Sequence, residues 1–212
     1  MDIIVKIVGK FLQVLESIKI QYYTSKTIKT FENFGMGSSI AWPFNIRGIN
    51  PDTPFVKYIH IGNHVSLGSG STIFATRAHC YIGDKTFSGP NLTIMTGDHP
   101  YDIKGKYMLD CRKKDLQSKG FDVSRYDKDV IIEEDVWMGC NVTVLKGVTI
   151  GRGAIVGGSI VNHSLPPYCM AAGCPAKVIK FRWSIDEVVE HEKKLYPEDK
   201  RFSLKELETQ RL

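Results

Sequence analysis

The sequence predicts an all-β chain wound as a solenoid of short strands, and three observations predict it. Apolar residues recur every six positions, at Ile132, Met138, Val144, Ile150 and Val156. A small or β-branched residue stands four places after each of the first four, at Val136, Val142, Val148 and Ala154. Glycine favours the place after the leader, as in Ile61-Gly62, Leu67-Gly68, Ile82-Gly83 and Ile150-Gly151. A period of six fits neither helical spacing near 3.6 nor the two-residue alternation of a plain strand. It fits a coil in which every six residues give one short strand and one turn, with the leader pointing inward. Gly or Asn would then take the turn positions that strain other residues. Three such units close a round of about eighteen residues, and rounds stack at about 4.8 Å, the ordinary strand spacing. Five leaders in register speak against the alternative, a β-sandwich with evenly spaced turns.

Taken in order, residues 1–34 read as a helical segment with Ile4, Ile7, Val8, Phe11, Leu15 and Ile18 on one stripe. The stripe is expected to pack against the open end of the solenoid or a neighbouring subunit, because solenoid ends need caps. Contact with an anionic membrane surface is the less favoured alternative. Asp2, Lys6, Lys10, Glu16 and Lys19 interrupt this segment, so it falls short of the ~20 uncharged residues of a spanning helix. It also lacks the small-residue cleavage site of a signal peptide.

Residues 35–180 are assigned to the solenoid. Early leaders are Ile61, Leu67 and Ile73; after a slip of three residues the phase resumes at Ile82, Ser88 and Ile94. The repeat stops after His99 and returns at Val130. Residues 100–129 form a long loop rich in both charges, read either as a solvated insertion or as a flap over a substrate. Between Val156 and the next leader, Val161, the step shrinks to five, so "VGGSI" reads as a shortened turn. In residues 181–212, Ser184 with Glu187 and Ser203 with Glu206 have capping-box spacing, so two short helices broken near Pro197 are expected to brace the coil.

Composition narrows the partners. A net charge of +5 over 212 residues favours anionic ligands in general, while clustered arginines with an aromatic platform, as nucleic-acid binding would need, are missing. Five cysteines without a CxxC pair suggest neither a disulfide framework nor a cysteine zinc site, which fits a reducing, cytoplasmic compartment.

The hexapeptides, "TGDHP" at 96–100, "DVWMGCNVTVLKGVTIG" at 135–151 and "AAGCPAKVIK" at 171–180 together resemble the hexapeptide-repeat acyltransferases, most of all the maltose, galactoside and polysaccharide O-acetyltransferases. The resemblance runs from about Ile59 to Lys180. It implies a left-handed parallel β-helix, a homotrimer, acetyl-CoA in the cleft between two subunits, and no metal.

His99 suits the chemistry, since an imidazole titrating near neutrality can take a proton from a hydroxyl that attacks a thioester. The resemblance makes it the general base, with Asp98 as a possible orienter of its ring. The oxyanion of acyl transfer needs a preorganised donor; the resemblance assigns this to the backbone N–H of Cys140, after Gly139 in "WMGC", and gives its thiol no role. Trp137, Gly139, Gly157, Gly158 and Ser159 would line the pantetheine arm. Lys177 and Lys180 would meet the phosphates, and so would His163, although the family commonly has a lysine there. Ser69, Ser71 and Tyr101 are the candidate acceptor contacts.

The family's galactoside and maltose enzymes carry an asparagine where this chain has Gly68, and no match for their N-terminal acidic residue is found in residues 1–58. The lead-in "FGMGSSIAWPFNIRG" instead resembles acetyltransferases of capsule or lipopolysaccharide sugars. The expected function is therefore acetyl-CoA-dependent O-acetylation of a saccharide or sugar-containing precursor. Three alternatives stand beside it: a xenobiotic (antibiotic) acetyltransferase, a zinc enzyme like the γ-class carbonic anhydrases using some of His60, His64, His79 and His99, and a non-catalytic scaffold.

Overall fold

The computed structural model describes residues 2–29, 31, 33–47, 58–75 and 77–211. Residues 48–57, which include Gly48 of the lead-in run, lie outside the described residues, as do Met1, Thr30, Glu32, Thr76 and Leu212.

After helix α1 (Asp2–Ile28) the chain visits three parallel ladders in rotation. The first holds β1 (Asn33–Phe34), β4 (Ile59–Ile61), β7 (Cys80–Ile82), β10 (Val130–Ile132) and β13 (Thr149–Ile150). The second holds β2 (Ser39–Ile40), β5 (Ser66–Leu67), β8 (Phe87–Ser88), β11 (Trp137–Met138) and the start of β14 (Ile155–Val161). The third holds β3 (Phe44–Arg47), β6 (Ser71–Phe74), β9 (Thr93–Met95), β12 (Thr143–Val144) and the end of β14.

The register follows the leaders. Ile61, Ile82, Ile132 and Ile150 pair in one column, and Ile73, Ile94, Val144 and Val161 in another. All of these are buried in one apolar core, each burial being favourable by about 1.5–3 kcal/mol. Their neighbours along the strand, such as Tyr81, Ile131 and Trp137, face outward.

Two details of the turns depart from expectation. The glycines after the leaders serve close approach, and the strained backbone lies elsewhere: a Cβ at Gly83 would stand 2.6 Å from the carbonyl carbon of Glu133. Gly70, Asn91, Asn141, Gly147 and Gly153 take left-handed turn positions as expected, and His64 (φ 55), Lys85 (φ 57) and Asp135 (φ 57) hold others. Gly83→Ala is therefore expected to destabilise by roughly 1–3 kcal/mol through overpacking. Lys85→Gly should cost nothing, because it relieves a left-handed non-glycine residue. Denaturant unfolding of both variants separates close approach from backbone strain. Further on, "VGGSI" is no turn at all. It lies inside the continuous strand β14, whose register shifts between Val156 and Ser159 and which bends at Gly157 and Gly158 from the second ladder into the third.

The first round was hidden in the sequence. Phe34, Ile40 and Ile46 also stand six apart and pair with Ile61, Leu67 and Ile73, but Trp42 and Pro43 mask the pattern. Residues 100–129 are likewise more ordered than a solvated loop. A short helix α2 (Lys113–Gln117) and 3-10 turns at Met108–Asp110 and Ser124–Tyr126 enclose Cys111, Leu116, Val123 and Tyr126. At the neck of this flap the Asp98 N–H donates to the Tyr126 carbonyl at 2.7 Å and the Lys128 N–H donates to the Thr96 carbonyl at 2.9 Å.

The expectation for the N-terminal stripe fails within this chain. α1 sits on the body through half-buried Ile20, Thr24, Thr27 and Ile28, with Tyr23 stacked on Trp42 at 6.3 Å. Ile4, Ile7, Val8, Phe11, Leu15 and Ile18 are all exposed. None of the described residues of the body covers them.

At the other end β15 (Cys169–Gly173) adds to β14, and β16 (Lys177–Phe181) returns antiparallel. Helices α3 (Ile185–Leu195) and α4 (Leu204–Thr209) start with the expected capping boxes at Ser184 and Ser203. They close over Tyr168 through Val188 and Leu207.

Candidate active site

The rotation through three ladders sorts the predicted site residues onto two edges. Ser69, Gly139, Cys140 and the bend Gly157–Ser159 lie where the chain passes from the second ladder to the third. Asp98, His99, Tyr101 and His163 lie where it leaves the third for the first. β9 and β12 run side by side between these edges, so His99 and Cys140 are held apart by at least a strand's length. At about 3.3 Å per residue that is on the order of 10 Å. One chain does not bring them within hydrogen-bond reach.

On the His99 edge, the imidazole is exposed and makes no hydrogen bond to the described residues, while Pro100 behind it is buried. Asp98 does not hold that ring: its carboxylate pairs with Lys146 Nζ at 2.9 Å. The reason is geometric, since the Asp98 N–H is fixed to the flap neck and Lys146 reaches up from the next round, over the ring of Tyr126. Lys146 escaped the sequence reading because nothing in "VLKGVT" sets that lysine apart from a solvated turn residue. Tyr101 is exposed with its ring edge-on to Tyr126. His163 is exposed, its Nδ1 2.8 Å from Asn162 Oδ1.

On the other edge, the Cys140 N–H donates to no described residue. Gly89 keeps it uncovered, for a Cβ there would stand 2.9 Å from that nitrogen. The thiol is exposed, whereas burial pushes Cys80 up to about 12 and Cys169 up to about 11. Trp137 lies flat on Phe87, rings 5.7 Å apart and 15° from parallel, on the outer face of the second ladder. Gly157 and Gly158 leave the neighbouring surface bare, and Lys177 and Lys180 stand exposed on β16.

Two predicted contacts are turned inward. Ser71 is buried at an inward position of β6 and its hydroxyl donates to the Gly68 carbonyl at 2.5 Å. Ser159 is buried and its hydroxyl donates to the Gly157 carbonyl at 2.6 Å. Each hydroxyl is taken up by a carbonyl two or three residues back, so neither faces a ligand; Ser69 remains half-buried at the edge.

The histidines do not assemble as a metal centre would require. His60 Nε2 and His79 Nδ1 lie 2.8 Å apart in stacked rings beside Tyr81, while His64 lies where the chain passes from the first ladder to the second and His99 makes no hydrogen bond to His60 or His79. Among the described residues no three His, Cys, Asp or Glu side chains gather as metal ligands.

No family model matches the sequence. A galactoside O-acetyltransferase of Lactococcus lactis subsp. lactis is 32% identical over 153 residues, 71% of this chain and 63% of that protein. A chloramphenicol acetyltransferase of Klebsiella aerogenes is 29% identical over 146 residues, 67% of this chain and 60% of that protein. Among solved structures, a hexapeptide-repeat acetyltransferase from Vibrio cholerae complexed with acetyl coenzyme A matches with a TM-score of 0.58. It is 28% identical, and the match covers 74% of this chain and 75% of that one. The chain spans between 46% and 63% of the length of the first curated relatives it matches. At this level of identity, and with buried leaders following one another at a step of six, the chain is similar to the hexapeptide-repeat acetyltransferases.

Proposed function

We propose that this protein is an acetyl-CoA-dependent O-acetyltransferase acting on a hydroxyl of a saccharide or sugar-containing precursor. The observation that carries the reading is the pair of unengaged groups on separate edges: the His99 imidazole and the Cys140 N–H. A second copy of the chain would set one edge against the other. The reading thus includes a homotrimer of left-handed parallel β-helices, with each site built between two subunits. It divides the chain into a helical segment 1–34, a solenoid 35–180 carrying the flap 100–129, and a helical cap 181–212.

Acetyl-CoA supplies an acetyl group already activated as a thioester. His99 takes the proton of the attacking hydroxyl and returns it to the departing thiolate. The Cys140 N–H donates to the carbonyl oxygen as negative charge develops there, in a setting poorer in water than bulk solvent. Trp137, Gly139, Gly157 and Gly158 line the cleft, and the bare backbone of the two latter glycines admits a slender chain. Lys177 and Lys180 offer cations to the phosphates, and His163 contributes there only after giving up Asn162. Tyr101, Ser69 and the flap face the acceptor. The reading includes a cytoplasmic location, which five cysteines without a disulfide support.

The likeness to relatives named galactoside O-acetyltransferase and to a structure holding acetyl coenzyme A supports this reading. A relative named chloramphenicol acetyltransferase favours antibiotics as a second acceptor class. Purified protein is expected to release free CoA when given acetyl-CoA with one member of a panel of sugars, glycans and antibiotics. Release with no member of the panel, by protein shown to be folded, would sink the proposal.

A further inference from the structure

The N-terminal helix has its faces the wrong way round for a cap. Ile20, Thr24, Thr27 and Ile28, the residues seated on the body, lie on one side of α1. At about 100° per residue, Ile4, Phe11, Leu15 and Ile18 lie on the opposite side. They are 69%, 61%, 46% and 58% exposed. Exposed side chains continue along both flanks of this stripe from Ile3 to Val14, so the apolar sector covers about 200° of the helix over its first five turns. A seam between packed helices occupies a narrower sector, and Lys19 and Lys26 would have to be buried in it beside Leu15 and Tyr22.

We propose that α1 lies in the surface of an anionic lipid bilayer, apolar side down. Its charge pattern matches that occupant. The helix carries Lys6, Lys10, Lys19 and Lys26 against Asp2 and Glu16, with Lys29 following it. Lys6 and Lys10 stand on the narrow polar side, while Lys19 and Lys26 lie within the wide apolar sector and extend their stems along the apolar surface to reach headgroups. No helix of the described residues is long and apolar enough to cross a membrane, which fits a helix lying in the plane. At 1.5 Å per residue its 27 residues span about 40 Å of surface. Among the described residues nothing of the body covers the stripe.

The test is vesicle flotation of the full chain and of a Phe11→Glu/Leu15→Glu variant. Both positions are exposed, so the variant is expected to fold, and a circular dichroism spectrum and thermal unfolding midpoint matching those of the full chain show that it has. Vesicles of phosphatidylcholine alone are compared with vesicles also containing phosphatidylglycerol. The full chain is expected to float with the anionic vesicles, with a partition coefficient at least about tenfold higher than for the neutral ones and falling as salt rises. The variant should stay at the bottom. The proposal is overturned if the full chain floats with neither vesicle or if the double variant floats equally well. It is also overturned if sedimentation shows a higher oligomer that the variant dissolves while neither protein floats, since the stripe then belongs to a second copy. None of these outcomes depends on the acetyl-transfer reading.

Discussion

Replacing His99 with alanine is expected to lower kcat/KM for acetyl transfer by about 10²–10⁴-fold, the usual contribution of a positioned general base. Most of the loss should appear in kcat. The KM for acetyl-CoA should change little, because Gly157, Gly158 and Cys140 stand on the other edge of the chain. Steady-state assay of CoA release reads both numbers, and unchanged turnover would remove His99 from the mechanism. The separation of the edges permits a sharper experiment. Gly158→Trp should also be inactive alone: residue 158 is exposed at the bend, and a Cβ there already stands 3.0 Å from the Cys140 carbonyl oxygen. If sites form between copies, refolding the two inactive variants together at equal amounts restores some interfaces. Such an interface has an intact His99 from one chain and an intact cleft from the other. Random closed assembly gives about one quarter of wild-type activity. If His99 and Cys140 worked within one chain, the mixture would stay dead.

How far the sequence reveals this arrangement depends on how local the signal is. The leaders were legible because each buried isoleucine or valine reports its own orientation, and six-residue spacing needs no partner to be seen. The edge on which each site residue falls follows from the same counting. What was hidden depends on contacts between rounds. Asp98 turns to Lys146, 48 positions later, only because the flap neck and the next round meet there. Ser71 and Ser159 looked like ligand contacts by position, yet each closes a hydrogen bond within three residues. The order inside residues 100–129 rests on Cys111, Leu116, Val123 and Tyr126, whose spacing follows no period. The direction of the α1 stripe was invisible for a related reason. An amphipathic pattern shows that one face is apolar, while what that face meets is decided by the few residues at its far end, here Ile20 to Ile28.

Removing the carboxylate of Glu192 is expected to give the largest loss of stability from a single side chain. Glu192 is 1% exposed on α3. It accepts from Arg152 Nη1 at 2.9 Å, from the Tyr168 hydroxyl at 2.7 Å and from the Phe202 N–H at 2.8 Å. It thereby ties both C-terminal helices to the last rounds of the ladders. Glu192→Ala would leave a guanidinium whose side chain is 13% exposed with Glu134, at 3.0 Å, as its remaining carboxylate, and would strand a buried hydroxyl and a backbone donor. Breaking one partner of a buried pair costs about 3–5 kcal/mol, and the residual exposure of Arg152 points to the lower end. In a chain of this length about 3 kcal/mol lowers Tm by roughly 6–12 °C, measurable by thermal unfolding at fixed protein concentration. Glu192→Gln keeps the shape and an acceptor oxygen, so it should lose less. A loss below about 1 kcal/mol for the alanine variant would put it within the range of an ordinary surface pair and show that the network is dispensable. The same network sets a pH limit. Burial and the adjacent Glu192 carboxylate push the Tyr168 phenol far above its usual value, and burial pushes Tyr196 up to about 12. Both groups are held protonated in the fold, so their contribution is complete below pH 10, where the unfolded phenols are also protonated. It is lost as pH rises through 10 toward 12 and above. Stability is therefore expected to hold up to about pH 10 and then fall, and Tyr168→Phe should shrink that alkaline loss while weakening the protein modestly at neutral pH.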